Sequence, residues 1–152
     1  MKKQQLLNKL EQAWTSFKDS YAGLTAQQMV EPGVTGDWSV KDILAHVSWW
    51  EHESLKHLPH ILQGVRPPRY SVMYGGIDAF NAQMTELKRS LTLSEVQEQL
   101  DETHRRLVEY LTSVPEEQFA SETRFRRRLR LDTYSHYPIH TQAIHTWRER
   151  SA

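Results

Sequence analysis

Apolar residues recur every three to four positions over long stretches of the chain, and polar stretches interrupt them. That spacing places the apolar side chains along one face of an α-helix. It predicts a first helix over Lys2–Tyr21 and a second over about Val40–Leu62. Ser39 and Asp42 have the spacing of a capping box at the start of the second helix. Pro59 should kink this helix near its end or shorten it.

The same spacing predicts three more helices farther along the chain. A short one covers roughly Ile77–Ser90, a long one begins at the capping box TLSE and ends near Ser113, and the last covers 133–150. Between the last two, residues 119–131 are irregular, and RFRRRLRL alternates as an extended segment does. Four long amphipathic helices and a short fifth, with no convincing strand pair, predict an all-α four-helix bundle with a short additional helix.

Composition narrows the class of protein. A length of 152 residues without a compositional break predicts a single domain over 1–152. The chain has no cysteine, which favours a cytoplasmic location and leaves only His, Asp and Glu as strong metal ligands. The formal net charge is zero and no apolar run approaches membrane-spanning length, so we expect neither a nucleic-acid partner nor a membrane.

The stretch DTYSHYPIHTQAIHTWR contains a pair of histidines with the spacing of one helical turn. His136 and His140 are four residues apart, so both imidazoles can point at one centre. Both lie on the apolar stripe with Trp147, where two imidazoles need polar partners. They are either half of a metal site or core histidines bonded to tyrosines. Pro138 fits a helix that restarts near Ser135, because proline is tolerated in a first turn.

The second helix offers a third imidazole and a carboxylate. His46 lies on the flank of its apolar face and is the natural third ligand. Three histidines leave positions open on a divalent ion, as catalytic sites do. Glu51 falls in the middle of the inward face, where an unpaired carboxylate is costly. It is an extra ligand, a base acting on metal-bound water, or a partner for a tyrosine or arginine.

Several other residues receive structural interpretations. His104 also lies on an apolar stripe, so an inward position alone does not identify a ligand. Trp49 is predicted to face outward and to mark a dimer surface. The five arginines between residues 124 and 130 predict a solvated loop or a rim for an anionic substrate rather than a nucleic-acid site. We interpret the remaining histidines of the second helix as surface residues: His52, His57 and His60.

Three segments together, GDWSVKDILAHVSWWE, IDAFNAQM and HYPIHTQAIHTW, resemble the DinB-like superfamily, which includes ClbS-type and DfsB-type proteins. The likeness extends over nearly the whole chain. It implies a four-helix bundle of the DinB-like type, often a homodimer, whose inner cleft commonly holds a divalent ion on three histidines. The positions that match those ligands are His46, His136 and His140.

The resemblance implies more than one class of function. One is a metal-dependent enzyme, of the hydrolase or thiol-dependent transferase type, that acts on a small molecule and uses Zn²⁺, Ni²⁺, Fe²⁺ or Mn²⁺. Glu51 is then the candidate catalytic residue, with Tyr137 as a second proton-transfer group, and a low-molecular-weight thiol is a candidate partner. The alternative is a metal-free, ClbS-like protein for small-molecule binding or self-resistance.

Overall fold

The computed structural model of the chain describes residues 2–151, and its elements over that range are helical. Four long helices form the bundle. In chain order the α-helices are α1 (Lys3–Ser20), α2 (Ala26–Met29), α3 (Val40–Leu62), α4 (Tyr70–Met73), α5 (Ile77–Lys88), α6 (Leu93–Ser113), α7 (Arg124–Asp132) and α8 (Tyr137–Ser151), with a 3-10 turn at Glu116–Phe119. The predicted all-α class and bundle architecture are confirmed.

The apolar faces predicted from the spacing meet in one core. Helix α3 packs against α5, α6 and α7, and α1 packs against α8. On α1 the fully buried side chains are Leu6, Leu10 and Phe17, and α6 contributes Leu100, Leu107 and Leu111. Fully burying a leucine or phenylalanine contributes about 1.5 to 3 kcal/mol to the free energy of folding. The residues that the helical spacing places on the apolar faces are therefore the ones that form the core.

Two helix starts are fixed by the predicted caps. Ser39 Oγ accepts the amide N–H of Asp42, whose carboxylate accepts the N–H of Ser39 in return. Thr92 and Glu95 form the same reciprocal pair at the start of α6. Helix α3 is not shortened by Pro59, since it continues to Leu62. Pro59 can donate no backbone hydrogen bond to Leu55 O, yet the helix continues for three residues beyond it.

The prediction of an extended segment at RFRRRLRL is wrong, because this segment is helix α7. Thr123 caps it by accepting the N–H of Arg126. Phe125 and Leu129, four residues apart, are its buried pair, and arginines occupy most of the other positions. The spacing of this apolar pair is helical, whereas the local alternation of Phe125 with arginines suggested a strand.

Two side chains that we predicted at the surface lie in the interior. Trp49 is only 3% exposed, and its indole N–H is 3.3 Å from Asn81 Oδ1. It therefore gives no support to a dimer surface. His57 is also buried, with Nε2 at 3.6 Å from Glu53 Oε1. Helix α3 is covered on several sides by α5, α6 and α7, so residues away from its apolar stripe are buried as well. His52 and His60 are exposed as predicted.

Within residues 2–151, no helix combines the length and the apolar character that a membrane crossing would require.

Candidate metal centre

Three histidines from two distant parts of the chain converge beside α3. His46 lies two turns into α3, His136 ends the turn that precedes α8, and His140 lies in the first turn of α8. The Nε2 atoms of His46 and His136 are 2.9 Å apart, and those of His140 and His136 are 3.0 Å apart. One ligand atom from each of the three lies within 4.8 Å of the others.

The start of α8 explains the convergence at His136 and His140. The helix begins at Tyr137, so Pro138 lies in the first turn, where its missing N–H interrupts no helical hydrogen bond. The backbone N–H of His136 donates to Thr133 O in the preceding turn. This agrees with the predicted restart near Ser135, and it leaves the two imidazoles on the same side as His46.

Hydrogen bonds among the three imidazoles cannot satisfy all three nitrogens. His136 Nε2 carries either one proton or one lone pair, yet it faces two other Nε2 atoms at hydrogen-bond distance. A neutral imidazole has only one nitrogen that donates. One divalent ion would accept the lone pairs of all three nitrogens at once. The arrangement therefore fits a metal better than it fits a hydrogen-bonded core cluster.

The environment keeps the three rings neutral, which is the form that binds a metal. Burial, together with the nearby His136 and His140, lowers the pKa of His46 to about 2. Burial and His136 lower the pKa of His140 to about 3. Burial lowers the pKa of His136 to about 4, although the backbone of Asp132 acts in the opposite direction.

The distances among the nitrogens are close to those of a tetrahedral site. Ligands at about 2.05 Å from Zn²⁺ lie roughly 3.3 Å from each other, so a small outward movement of the rings would admit the ion.

The hydrogen bonding of the second ring nitrogen, Nδ1, is incomplete in all three histidines. In the part of the chain that the structure describes, Nδ1 of each of the three histidines is buried without a hydrogen-bond partner. Metal-binding histidines usually donate through this atom, and its lack of an acceptor weakens metal affinity.

Glu51 lies outside the group of converging ligands and belongs to a separate buried network. Its side chain is fully buried, and Oε2 accepts a hydrogen bond from Tyr137 Oη at 2.8 Å. His104 Nδ1 lies 2.8 Å from the same oxygen, and His104 Nε2 lies 2.8 Å from Glu11 Oε1. Of the alternatives for Glu51, the contacts show a partner for a tyrosine, and the catalytic role stays a prediction.

The charge of this network is set by His104. Both of its ring nitrogens face carboxylate oxygens, which only accept, so a doubly protonated imidazolium satisfies them. Burial lowers the pKa of His104, but its hydrogen bonds to Glu51 and Glu11 outweigh burial and raise that pKa. Burial raises the pKa of Glu51, opposed by His104 and Tyr137. Trp14 stacks on the imidazole with centroids 3.6 Å apart.

A cavity of about 410 Å³ lies beside the histidine cluster, with His46 and His136 in its wall. Side chains from α3, α4, α5 and α7 surround it: Trp50, Tyr70, Ile77, Asn81, Arg128, Leu131 and Asp132. Its volume is within the range of about 300 to 1,000 Å³ that is usual for small-molecule sites. A ligand in this cavity would be next to the imidazoles.

The cavity wall contains polar residues that sequence reasoning missed. Arg128 Nε donates to Asp132 Oδ2 at 2.6 Å, and Nη2 donates to Tyr70 Oη at 2.9 Å. Tyr70 in turn donates to the buried Glu53. In the sequence, Arg128 is one of five similar arginines and Tyr70 lies in a Pro-rich loop. Only the helical register of α7, a segment whose alternating pattern predicts an extended strand, distinguishes Arg128 from its neighbours.

The sequence profile of the DinB superfamily matches residues 9–143 of the chain. Because that match covers most of the 152 residues, the chain belongs to the DinB superfamily. The class of protein that the resemblance predicted is therefore confirmed. No curated protein matches the chain in sequence.

Solved structures with the same fold include ClbS and DfsB. The colibactin self-resistance protein ClbS, in complex with double-stranded DNA, has a TM-score of 0.78 and 15% identity, with 95% of this chain and 94% of ClbS covered. The sibling lethal factor precursor DfsB has a TM-score of 0.80 and 14% identity, with 99% and 97% covered. A Streptococcus pneumoniae protein gives 0.81 and 14%, with 98% and 91% covered. At these identities the likeness shows the fold alone.

Proposed function

We propose that this DinB superfamily member is a metal-dependent enzyme that acts on a small molecule at His46, His136 and His140. The observation that carries the proposal is the convergence of three neutral imidazoles, two buried and that of His136 half-buried, in which His136 Nε2 lies 2.9 and 3.0 Å from the Nε2 atoms of His46 and His140. Imidazole ligands suit Zn²⁺, Ni²⁺, Fe²⁺ and Mn²⁺, so the ligand set does not choose among these ions.

Different residues of the chain would bind the metal, hold the substrate and transfer protons at such a site. A bound divalent ion would lower the pKa of a water or thiol and so supply a nucleophile near neutral pH. The cavity beside His46 and His136 would hold the substrate next to it. Glu51 and Tyr137 are the proposed proton-transfer groups, and Glu51 Oε1 has no hydrogen-bond partner within residues 2–151.

The reaction type and partners are part of this proposal. We propose a hydrolase or a thiol-dependent transferase, with a low-molecular-weight thiol as a candidate co-substrate, on the basis of the family resemblance. We propose a small molecule rather than nucleic acid as the partner, because carboxylates already hold arginines of α7: Asp132 holds Arg128, and Glu122 holds Arg130. We also propose a homodimer, on the basis of the family resemblance. We propose a cytoplasmic location because the chain has no cysteine.

A second candidate function is small-molecule binding without a metal, as in a self-resistance protein. The cavity of about 410 Å³ favours it, because that cavity exists independently of any ion. The fold shared with ClbS, which is described as a self-resistance protein, is compatible with this alternative. The two functions differ in one measurable property, the metal content of the purified protein.

Metal content of the untagged protein therefore tests the proposal. We expect about one divalent ion per chain by elemental analysis, and we expect His136→Ala and His46→Ala each to lose most of it, because two imidazoles hold an ion far less tightly than three. His145→Ala is the matched control, since His145 lies on α8 and is exposed. Unchanged metal content in both site variants would show that the assigned ligands are wrong.

A further inference from the structure

We propose that the cavity beside His46 and His136 binds a small molecule with an apolar body and a carboxylate group. This inference deepens the proposed function, because it names the class of substrate that would reach the histidine cluster. It depends on the side chains of α3, α4, α5 and α7 that line the cavity, and it can be tested with and without a metal.

The apolar body is indicated by the walls of the cavity. The rings of Trp50 and Tyr70, with centroids 5.3 Å apart, form an aromatic side. Ile77 of α5 and Leu131 of α7 also line the cavity, although they are 55% and 58% exposed. When an apolar ligand covers large aliphatic side chains that are exposed to solvent, the loss of exposed apolar surface favours binding. The shape therefore favours an aromatic or branched aliphatic group.

The carboxylate is indicated by a guanidinium that is held in place but not saturated. Asp132 occupies Nε of Arg128 and Tyr70 Oη occupies Nη2, which fixes the plane of the group. Nη1 makes no hydrogen bond to any residue in the range 2–151 and is exposed to solvent, on a side chain that lines the cavity. A preoriented arginine donor favours a planar anionic acceptor.

Asn81 supplies a second donor to the lining of the cavity. The indole N–H groups of Trp49 and Trp50 both point at Asn81 Oδ1, at 3.3 and 2.9 Å. Indole nitrogens only donate, so this side-chain atom must be the oxygen, and the amide Nδ2 is the free end. Nδ2 has no hydrogen-bond partner among the described residues. Two donors without acceptors, on α5 and α7, thus belong to the lining of one cavity and favour an anionic ligand there.

Asp132 limits how strongly Arg128 can bind a ligand carboxylate, because Asp132 already balances part of the charge of Arg128. A bare carboxylate should therefore bind poorly, and the apolar body must supply the rest of the affinity. The proposal thus makes a joint requirement. Neither a small anion alone nor a neutral apolar molecule alone should bind as well as a molecule that carries both features.

The test is calorimetric titration of the full-length chain with 2-naphthoate, 2-naphthamide and acetate, in chelator and again with saturating Zn²⁺. We expect 2-naphthoate to bind about tenfold more tightly than 2-naphthamide in chelator, as a charge-assisted hydrogen bond predicts, and acetate to show no measurable binding. Arg128→Gln should weaken 2-naphthoate about tenfold and leave 2-naphthamide unchanged. Arg127→Gln, an exposed arginine of α7, is the matched control.

A second variant tests the apolar wall without disturbing the core. Ile77→Asn should weaken both naphthyl probes, and because Ile77 is more than half exposed the chain should remain folded. Leu87→Asn, also on α5 and 64% exposed but not in the cavity wall, should change neither affinity. If Arg128→Gln does not fold, the probe series on the unchanged chain and the Ile77 variant still decide the question.

Three results would overturn the proposal. One is equal affinity for the two naphthyl probes, and another is no binding of either. The third is a carboxylate preference that exists only with Zn²⁺ and is unaffected by Arg128→Gln, which would place the anion on the metal. Each can occur whether or not His46, His136 and His140 hold a metal, so failure here is distinguishable from failure of the proposed enzyme function.

Discussion

At the scale of single residues, the stability of the bundle interior depends on whether each buried polar atom has a hydrogen-bond partner. Glu51 is fully buried and is tolerated because Tyr137 and His104 both bond its Oε2. Tyr110 shows the opposite case, since its buried hydroxyl has no hydrogen-bond partner within residues 2–151. The two tyrosines therefore make a matched pair in which one hydroxyl is used and the other is not.

Removing the hydroxyl of Tyr137 should destabilise the fold, because it takes a donor from a buried carboxylate. We expect Tyr137→Phe to lower the free energy of unfolding by about 1 to 3 kcal/mol, the usual cost of leaving a buried polar group short of a partner. Urea denaturation measures this. Tyr110→Phe should be neutral or slightly stabilising, and equal losses in the two variants would contradict the role given to the Tyr137–Glu51 bond.

At the scale of elements, polar contacts join helices whose apolar faces are already packed. His104 of α6 lies between Glu11 of α1 and Glu51 of α3, and Tyr137 of α8 reaches the same carboxylate. One imidazolium thus connects three helices, and through Glu51 it is linked to the helix that contains His140. The stability of this connection depends on pH, because it requires a proton on His104.

Relative to a chain without His104 and Glu51, the free energy of unfolding should fall as pH rises above about 6.5, the usual pKa of an unfolded histidine. The pKa of His104 is raised in the folded chain, so between 6.5 and that higher value the folded state holds more protons than the unfolded state. The raised pKa of Glu51 acts with the same sign. The histidines of the metal centre have lowered pKa values and raise stability with rising pH around 6.5, but they do so in both chains and cancel in the comparison.

Denaturation in chelator at a series of pH values above 6.5 measures this effect. The double variant Glu51→Gln, His104→Gln removes both groups, so its stability should fall less, or rise more, with pH than that of the unchanged chain. His145→Gln, at an exposed histidine, should keep the pH dependence of the unchanged chain. A double variant that shows the same slope as the unchanged chain would refute the assignment to His104 and Glu51.

At the scale of the whole molecule, the metal centre exists only when α3 and the start of α8 are docked. His46 and His136 are ninety positions apart in the chain, so their Nε2 atoms are 2.9 Å apart only in the folded state. A metal that binds the folded state alone stabilises it by mass action. Metal binding and global stability are therefore linked.

Saturating Zn²⁺ should raise the melting temperature of the metal-free chain by about 5 to 10 °C at a hundredfold excess over its dissociation constant. Thermal denaturation followed by circular dichroism measures the shift, and chelator should reverse it. His136→Ala should abolish the response, while His145→Ala should retain it. A shift of the same size in His136→Ala would point to binding elsewhere on the chain.

The sequence by itself determined the four long helices and α5, because helix periodicity and caps are local properties. The Ser39–Asp42 box begins α3 at Val40 and the Thr92–Glu95 box begins α6 at Leu93, as the spacing predicted. The same local reasoning failed at α7, where a single helical pair, Phe125 and Leu129, was hidden among arginines. The family was also readable from motif segments, since it is defined by sequence.

Only the tertiary structure decided which of the polar residues meet. His46, His104, His136 and His140 all lie on apolar stripes, yet three converge on one point while His104 bridges two carboxylates. Trp49 is buried because α5 covers a side of α3 that helix periodicity predicted to face solvent. Helix periodicity gives the angle of a side chain about its own axis, whereas the partner depends on the position of other helices, which no local pattern specifies.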